Sequence, residues 1–150
     1  MLALHCDDFD GASLAVRRTA HEGEIQDGTK TDHGEPNAGR IVPVPSILAS
    51  MLALRISALS SNGGLLFGSP RGKVWRERNF YGRVWTPARE AAGIDIRPHE
   101  CRHSYLTHLR RANVDDADLA RIAGHSVSTL LAHYAHPAGD GFAQVRAAIG

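Results

Sequence analysis

From Arg97 to Tyr134 the chain carries helix start and stop signals at intervals too short for any long helix. Pro98 suits the position just before, or within, a first helical turn, where a missing N–H costs nothing. It predicts a helix over 99–111. Asp115 or Asp116 caps a second helix, 117–123, which Gly124 ends. Ser126 caps a third, 127–134. Helices this short hold only when packed, so Leu106, Leu109, Leu119 and Ile122 are read as plain core.

The first half reads differently. "MLALHCDDFDG" opens inside an apolar pattern, like the end of a helix running into a strand. "SLAVRRTA", 13–20, alternates enough for a strand. Residues 21–39 are polar and rich in Gly, Asp and Thr, predicting turns and hairpin loops. "RIVPVP", 40–45, is a short β-branched strand ended by prolines. Two or three short strands therefore form a small antiparallel sheet. Ser46 is placed to cap a helix over 47–59, with Leu and Ile at helical spacing. Residues 65–73 are extended and then turn. Residues 79–93 read as a helix closed by Gly93 and kinked or broken at Pro87, and 142–150 as a loose terminal helix. The expected class is α+β, mostly helical, with the sheet near the N-terminus.

At 150 residues the default is one domain, long enough for a core without disulfides or metals. Two cysteines, Cys6 and Cys101, make no disulfide framework and suit a reducing compartment. No apolar run approaches a membrane span, and Asp7, Asp8 and Asp10 arrive too early for a signal peptide. A cytoplasmic protein without a membrane partner is expected. Net charge is only +1, but residues 71–111 hold ten Lys and Arg against Glu77, Glu90, Asp95 and Glu100. That block is the part suited to face a polyanion, or else a solvated helix surface.

The stretch "HECRH", 99–103, matches the H-E-x-x-H pattern of zinc proteases, with His99 and His103 on one helical face. Catalytic zinc needs a third protein ligand. No Glu follows Glu100, His108 falls one place off the extended pattern, and Asp115, Asp116 and Asp118 suit a helix cap. Arg102 also puts a fixed cation beside the second ligand. No metal and no cofactor is expected. The same letters read as His-x-x-Arg, and beyond them come "AGHSVST", 123–129, and "HYAHP", 133–137.

His-x-x-Arg, then Gly-His-Ser, then Tyr, in that order and spacing, resembles the catalytic domain of the tyrosine recombinases, the phage integrase family. "LALHCDDFD", 2–10, is similar to the segment leading into that family's sheet, and 28–45 to its β-hairpin. Residues 65–94 are similar to the stretch before its His-x-x-Arg helix, so the likeness covers about 1–137. The resemblance implies site-specific DNA recombination or integration through a 3′-phosphotyrosine. Tyr134 would be the nucleophile and Arg102 would hold the scissile phosphate. His99 would be an acid/base or hydrogen-bond donor, His125 a donor to a non-bridging oxygen, and Lys30 the acid for the departing 5′ oxygen. It implies double-stranded DNA as partner, contacted along its backbone by Arg71, Lys73, Arg76 and Arg78. It also implies recombinase subunits in a synaptic homo-oligomer. The family's first catalytic arginine precedes the segment matched by 2–10. None of Arg17, Arg18 and Arg40 lies in a matching context, so the chain is expected to be an N-terminally truncated and inactive or impaired member. The alternative expectation is a non-catalytic remnant that binds DNA or a partner recombinase.

Overall fold

A computed structural model describes residues 1–29, 39–59 and 64–134. The chain divides into two compact units, Met1–Ile96 and Arg97–Gly150.

The first unit is built on short antiparallel strands. The N-terminus, read as a helix end, instead forms a turn and a single 3₁₀ turn at Cys6–Asp8. A lone turn has no length over which a helix could propagate. The stretch 13–20 splits at Arg17 into β1 (Ser13–Val16) and β2 (Arg18–His21). β2 pairs with β3 (Glu24–Asp27), from Arg18 opposite Asp27 to His21 opposite Glu24. β1 pairs with β4 (Arg40–Pro43), from Ser13 opposite Pro43 to Val16 opposite Arg40. The polar stretch expected to be only turns therefore contains a strand. Glu22 and Gly23 both take positive φ, 49° and 87°, as a two-residue hairpin turn between twisted strands requires. Gly39 enters β4 at φ 56°, and a Cβ there would lie 2.9 Å from the Val16 carbonyl oxygen. Only glycine fits that approach.

Asp8 is buried and ties the 3₁₀ turn to β2. It accepts from the His5 backbone N–H at 2.8 Å, and both its oxygens accept from Arg18 Nη2 at 2.7 Å. A carboxylate this enclosed is tolerable only with such a partner.

After β4 comes α1 (Ser46–Ser57). Pro45, not Ser46, holds its N-cap, and no side chain caps it. The extended backbone of Pro45 hands the chain directly into the helix. α1 lends Leu52 to a core with Leu4 and Leu66, against which Ile56, Leu14, Val16 and Val44 pack. Its other apolar residues lie outward, with Ile47, Met51 and Leu54 75%, 62% and 71% exposed. The helix is apolar all round and buries one narrow face. Leu66 is fixed by its N–H to the Leu4 carbonyl, at 2.8 Å.

The helix expected over 79–93 is three pieces: α2 (Glu77–Phe80), a π-helical turn (Tyr81–Trp85) and α3 (Thr86–Ala91). The widened turn, with Thr86 N–H on the Tyr81 carbonyl, lies just before Pro87. It relieves the clash of the proline ring with the preceding turn, so the helical turns continue through Pro87 rather than stop. Gly93 at φ 66° follows the end of α3. Trp85 Nε1 then donates to the Ile96 carbonyl at 3.1 Å, and Arg89 pairs with Asp95.

The second unit holds α4 (Pro98–Arg111), α5 (Asp116–Ala123) and α6 (Val127–Tyr134), close to the spacing predicted. Leu106, Leu119, Ala120, Ala123 and Leu130 form its core, with Tyr105, Leu109 and Val114 against them. Ile122, expected in that core, is half-buried. The tail expected to be helical at 142–150 lies outside the described residues.

Candidate phosphate site

α4 starts on paired signals. Pro98 occupies its first turn, and Glu100 Oε2 accepts from the Arg97 backbone N–H at 2.6 Å. That bond is the main reason the Glu100 carboxyl is held below the usual carboxylate range, with the Arg97 side chain adding to it. The exposed His99 follows Pro98, and the half-buried Arg102 comes one turn later. The rings of His99 and His103 meet edge to face, centroids 4.7 Å apart. Among the described residues no three His, Cys, Asp or Glu side chains converge as a metal site would require.

α5 and α6 bring the other half. Asp115 caps α5 by accepting from the Ala117 N–H at 2.8 Å. Gly124 ends it at φ 67°, ψ 47°, the left-handed turn that glycine adopts most readily. The His125 N–H then returns to the Ala120 carbonyl at 3.0 Å. Ser126 Oγ accepts from the Thr129 N–H at 3.1 Å and opens α6. It also shares hydrogen bonds with the hydroxyls of Ser128 and Thr129, at 2.9 and 2.8 Å.

These turns converge on Arg102. Its Nη2 donates to the Ala123 carbonyl oxygen and lies 2.8 Å from His125 Nε2. Two residues 23 apart in sequence thus meet at one nitrogen. The arrangement gathers a permanent cation, an imidazole and a helix N-terminus bearing hydroxyls, a combination suited to an oxyanion. Tyr134 is the last residue of α6. Lys30 lies outside the described residues.

Arg71, Lys73, Arg76 and Arg78 belong to the first unit, and all four are exposed. Arg71 and Lys73 lie on a turn closed by the Ser69 N–H to the Lys73 carbonyl at 2.8 Å. Arg76 is the N-cap residue of α2, and its stem lies over the β2–β3 turn at Gly23. Sequence reasoning missed the Ala123 carbonyl, because a backbone acceptor leaves no residue-type signature. Gly124, a helix stop signal, was the one pointer to it.

This α+β arrangement is the fold of integrase catalytic domains. A transposon Tn1549 integrase in complex with circular intermediate DNA superimposes with a TM-score of 0.72 at 18% identity, over 99% of this chain and 54% of that one. The chain belongs to the phage integrase family, whose family model matches residues 22–140. It is 30% identical over 116 residues to tyrosine recombinase XerC of Pseudomonas fluorescens, covering 75% of this chain and 39% of that protein. It is 29% identical over 131 residues to tyrosine recombinase XerD of Pseudomonas aeruginosa, covering 83% of this chain and 44% of that protein. The chain thus spans less than half the length of these curated relatives.

Proposed function

We propose that this chain carries the strand-transfer chemistry of a site-specific DNA recombinase. Tyr134 Oη attacks the scissile phosphorus, the bond from phosphorus to the 5′ oxygen breaks, and a 3′-phosphotyrosine forms. Lys30 supplies the proton that the departing 5′ oxygen takes up. The pentacoordinate transition state carries extra negative charge, which Arg102 neutralises and His125 and His99 stabilise as donors. The phosphotyrosine keeps the energy of the broken ester, so a 5′ hydroxyl rejoins the strand without ATP. The partner is duplex DNA, gripped along its backbone by Arg71, Lys73, Arg76 and Arg78, with further recombinase subunits completing a synaptic homo-oligomer.

The observation that supports this reading is the meeting of Arg102 and His125 at 2.8 Å, which joins two of the family's motifs in one place. A nicked suicide duplex tests it, because the cleaved strand diffuses away and traps the covalent complex. The wild-type chain should give a denaturation-resistant protein–DNA adduct and Tyr134→Phe none. An equal yield from both would overturn the proposal.

A second reading is a chain that binds DNA or a partner recombinase without cutting. Salt-sensitive DNA binding without any adduct would support that reading.

A further inference from the structure

The two contacts of Arg102 fall on the same nitrogen. Nη2 carries two N–H groups, and its partners are the Ala123 carbonyl oxygen and His125 Nε2. Arginine has no acceptor, so His125 must accept at Nε2 and carry its proton on Nδ1. A guanidinium grips an oxyanion bidentately through Nη1 with Nη2, or through Nε with Nη2. Both forks need Nη2. In this arrangement neither fork is open, and His125 Nε2 cannot donate.

We infer that Arg102 and His125 form a resting latch that an incoming phosphate opens by displacing the His125 contact. The inference rests on the proposed strand-transfer reading for its function and on the geometry alone for its existence. The Ala123 carbonyl is the partner that stays. It is the last carbonyl of α5, beyond the reach of an intrahelical donor, and it would be orphaned without Arg102. The imidazole, in contrast, can exchange roles. Once Arg102 turns one N–H to the phosphate, Nε2 is released. The ring's single proton then passes from Nδ1 to Nε2 by exchange with solvent, and the histidine becomes a donor to the same phosphate. Gly124 is the positioning residue of this device. Its left-handed backbone reverses the chain between Ala123 and His125, so that acceptors two residues apart face one nitrogen.

Long-range ¹H–¹⁵N spectra of the full chain, at one pH where the ring is neutral, read this directly. His125→Gln assigns the signals by their loss. The free wild type should show the Nδ1–H tautomer, and saturating inorganic sulfate should convert it to Nε2–H. Free Arg102→Met removes the donor at Nε2, so its Nδ1–H population should be smaller than in the free wild type. An Nε2–H ring in the free wild type would overturn the latch, as would a tautomer unmoved by sulfate. If Arg102→Met fails to fold, the two wild-type spectra decide. An Nε2–H ring in a chain that still forms the DNA adduct removes the latch and leaves strand transfer standing. An Nδ1–H ring that sulfate converts, in a chain that forms no adduct, does the reverse.

Discussion

At the residue scale, the site turns on what Arg102 can do that another cation cannot. It is permanently charged and planar, and it holds a backbone carbonyl and an imidazole at once. Lysine keeps the charge but has neither the plane nor the fork. Arg102→Lys is therefore expected to lower strand cleavage by about 10²-fold or more, measured as the rate of adduct formation on a nicked duplex. The meeting of Arg102 and His125 was foreshadowed by two side chains of distinctive chemistry in a recurring order, whereas His99 sits against the His103 ring. The Ala123 carbonyl was not, since it is visible only once α5 ends against α4. The pairing of Arg18 with Asp8 was hidden for a similar reason, because ten residues of turn and strand separate them.

At the element scale, helix positions were legible from their punctuation, whereas the buried face of an unpatterned helix was not. α4, α5 and α6 fall close to where Pro98, Asp115, Gly124 and Ser126 put them. α1 lacks such contrast. Its apolar residues lie on every side, so no pattern reveals that only Leu52 is fully buried. Leu52→Ala should cost about 2–5 kcal/mol in urea unfolding, whereas Leu54→Ala should stay within about 0.5 kcal/mol. Equal losses would show that the exposed side of α1 is covered. The start of α4 responds to pH. Folding lowers the Glu100 carboxyl below its unfolded value through the Arg97 N–H. The cap is therefore fully present above the unfolded pKa and is lost as pH falls through the lowered folded one. The Arg97 amide signal should shift with that low-pH titration, and in Glu100→Gln the shift should vanish.

At the scale of the whole molecule, the α+β class was legible from a polar, turn-rich first third and a helical remainder. β3 was not, because Ile25 is its one apolar residue and its polar neighbours read as loop. The described part has no helix long and apolar enough to cross a membrane. Charge is concentrated instead. Arg71, Lys73, Arg76 and Arg78 are all exposed within the stretch 71–78. If they meet DNA phosphates, neutralising each should weaken binding alike across sequences and reduce the log–log salt slope by about one. A loss restricted to particular sequences would contradict a backbone role.

The central claim is that Tyr134 becomes covalently joined to DNA. Protease digestion of the trapped adduct, followed by tandem mass spectrometry of the nucleotide-bearing peptide, tests it most directly. The account predicts a 3′-phosphoryl linkage on Tyr134. A linkage on any other residue, or a linkage to a 5′ phosphate, would contradict it.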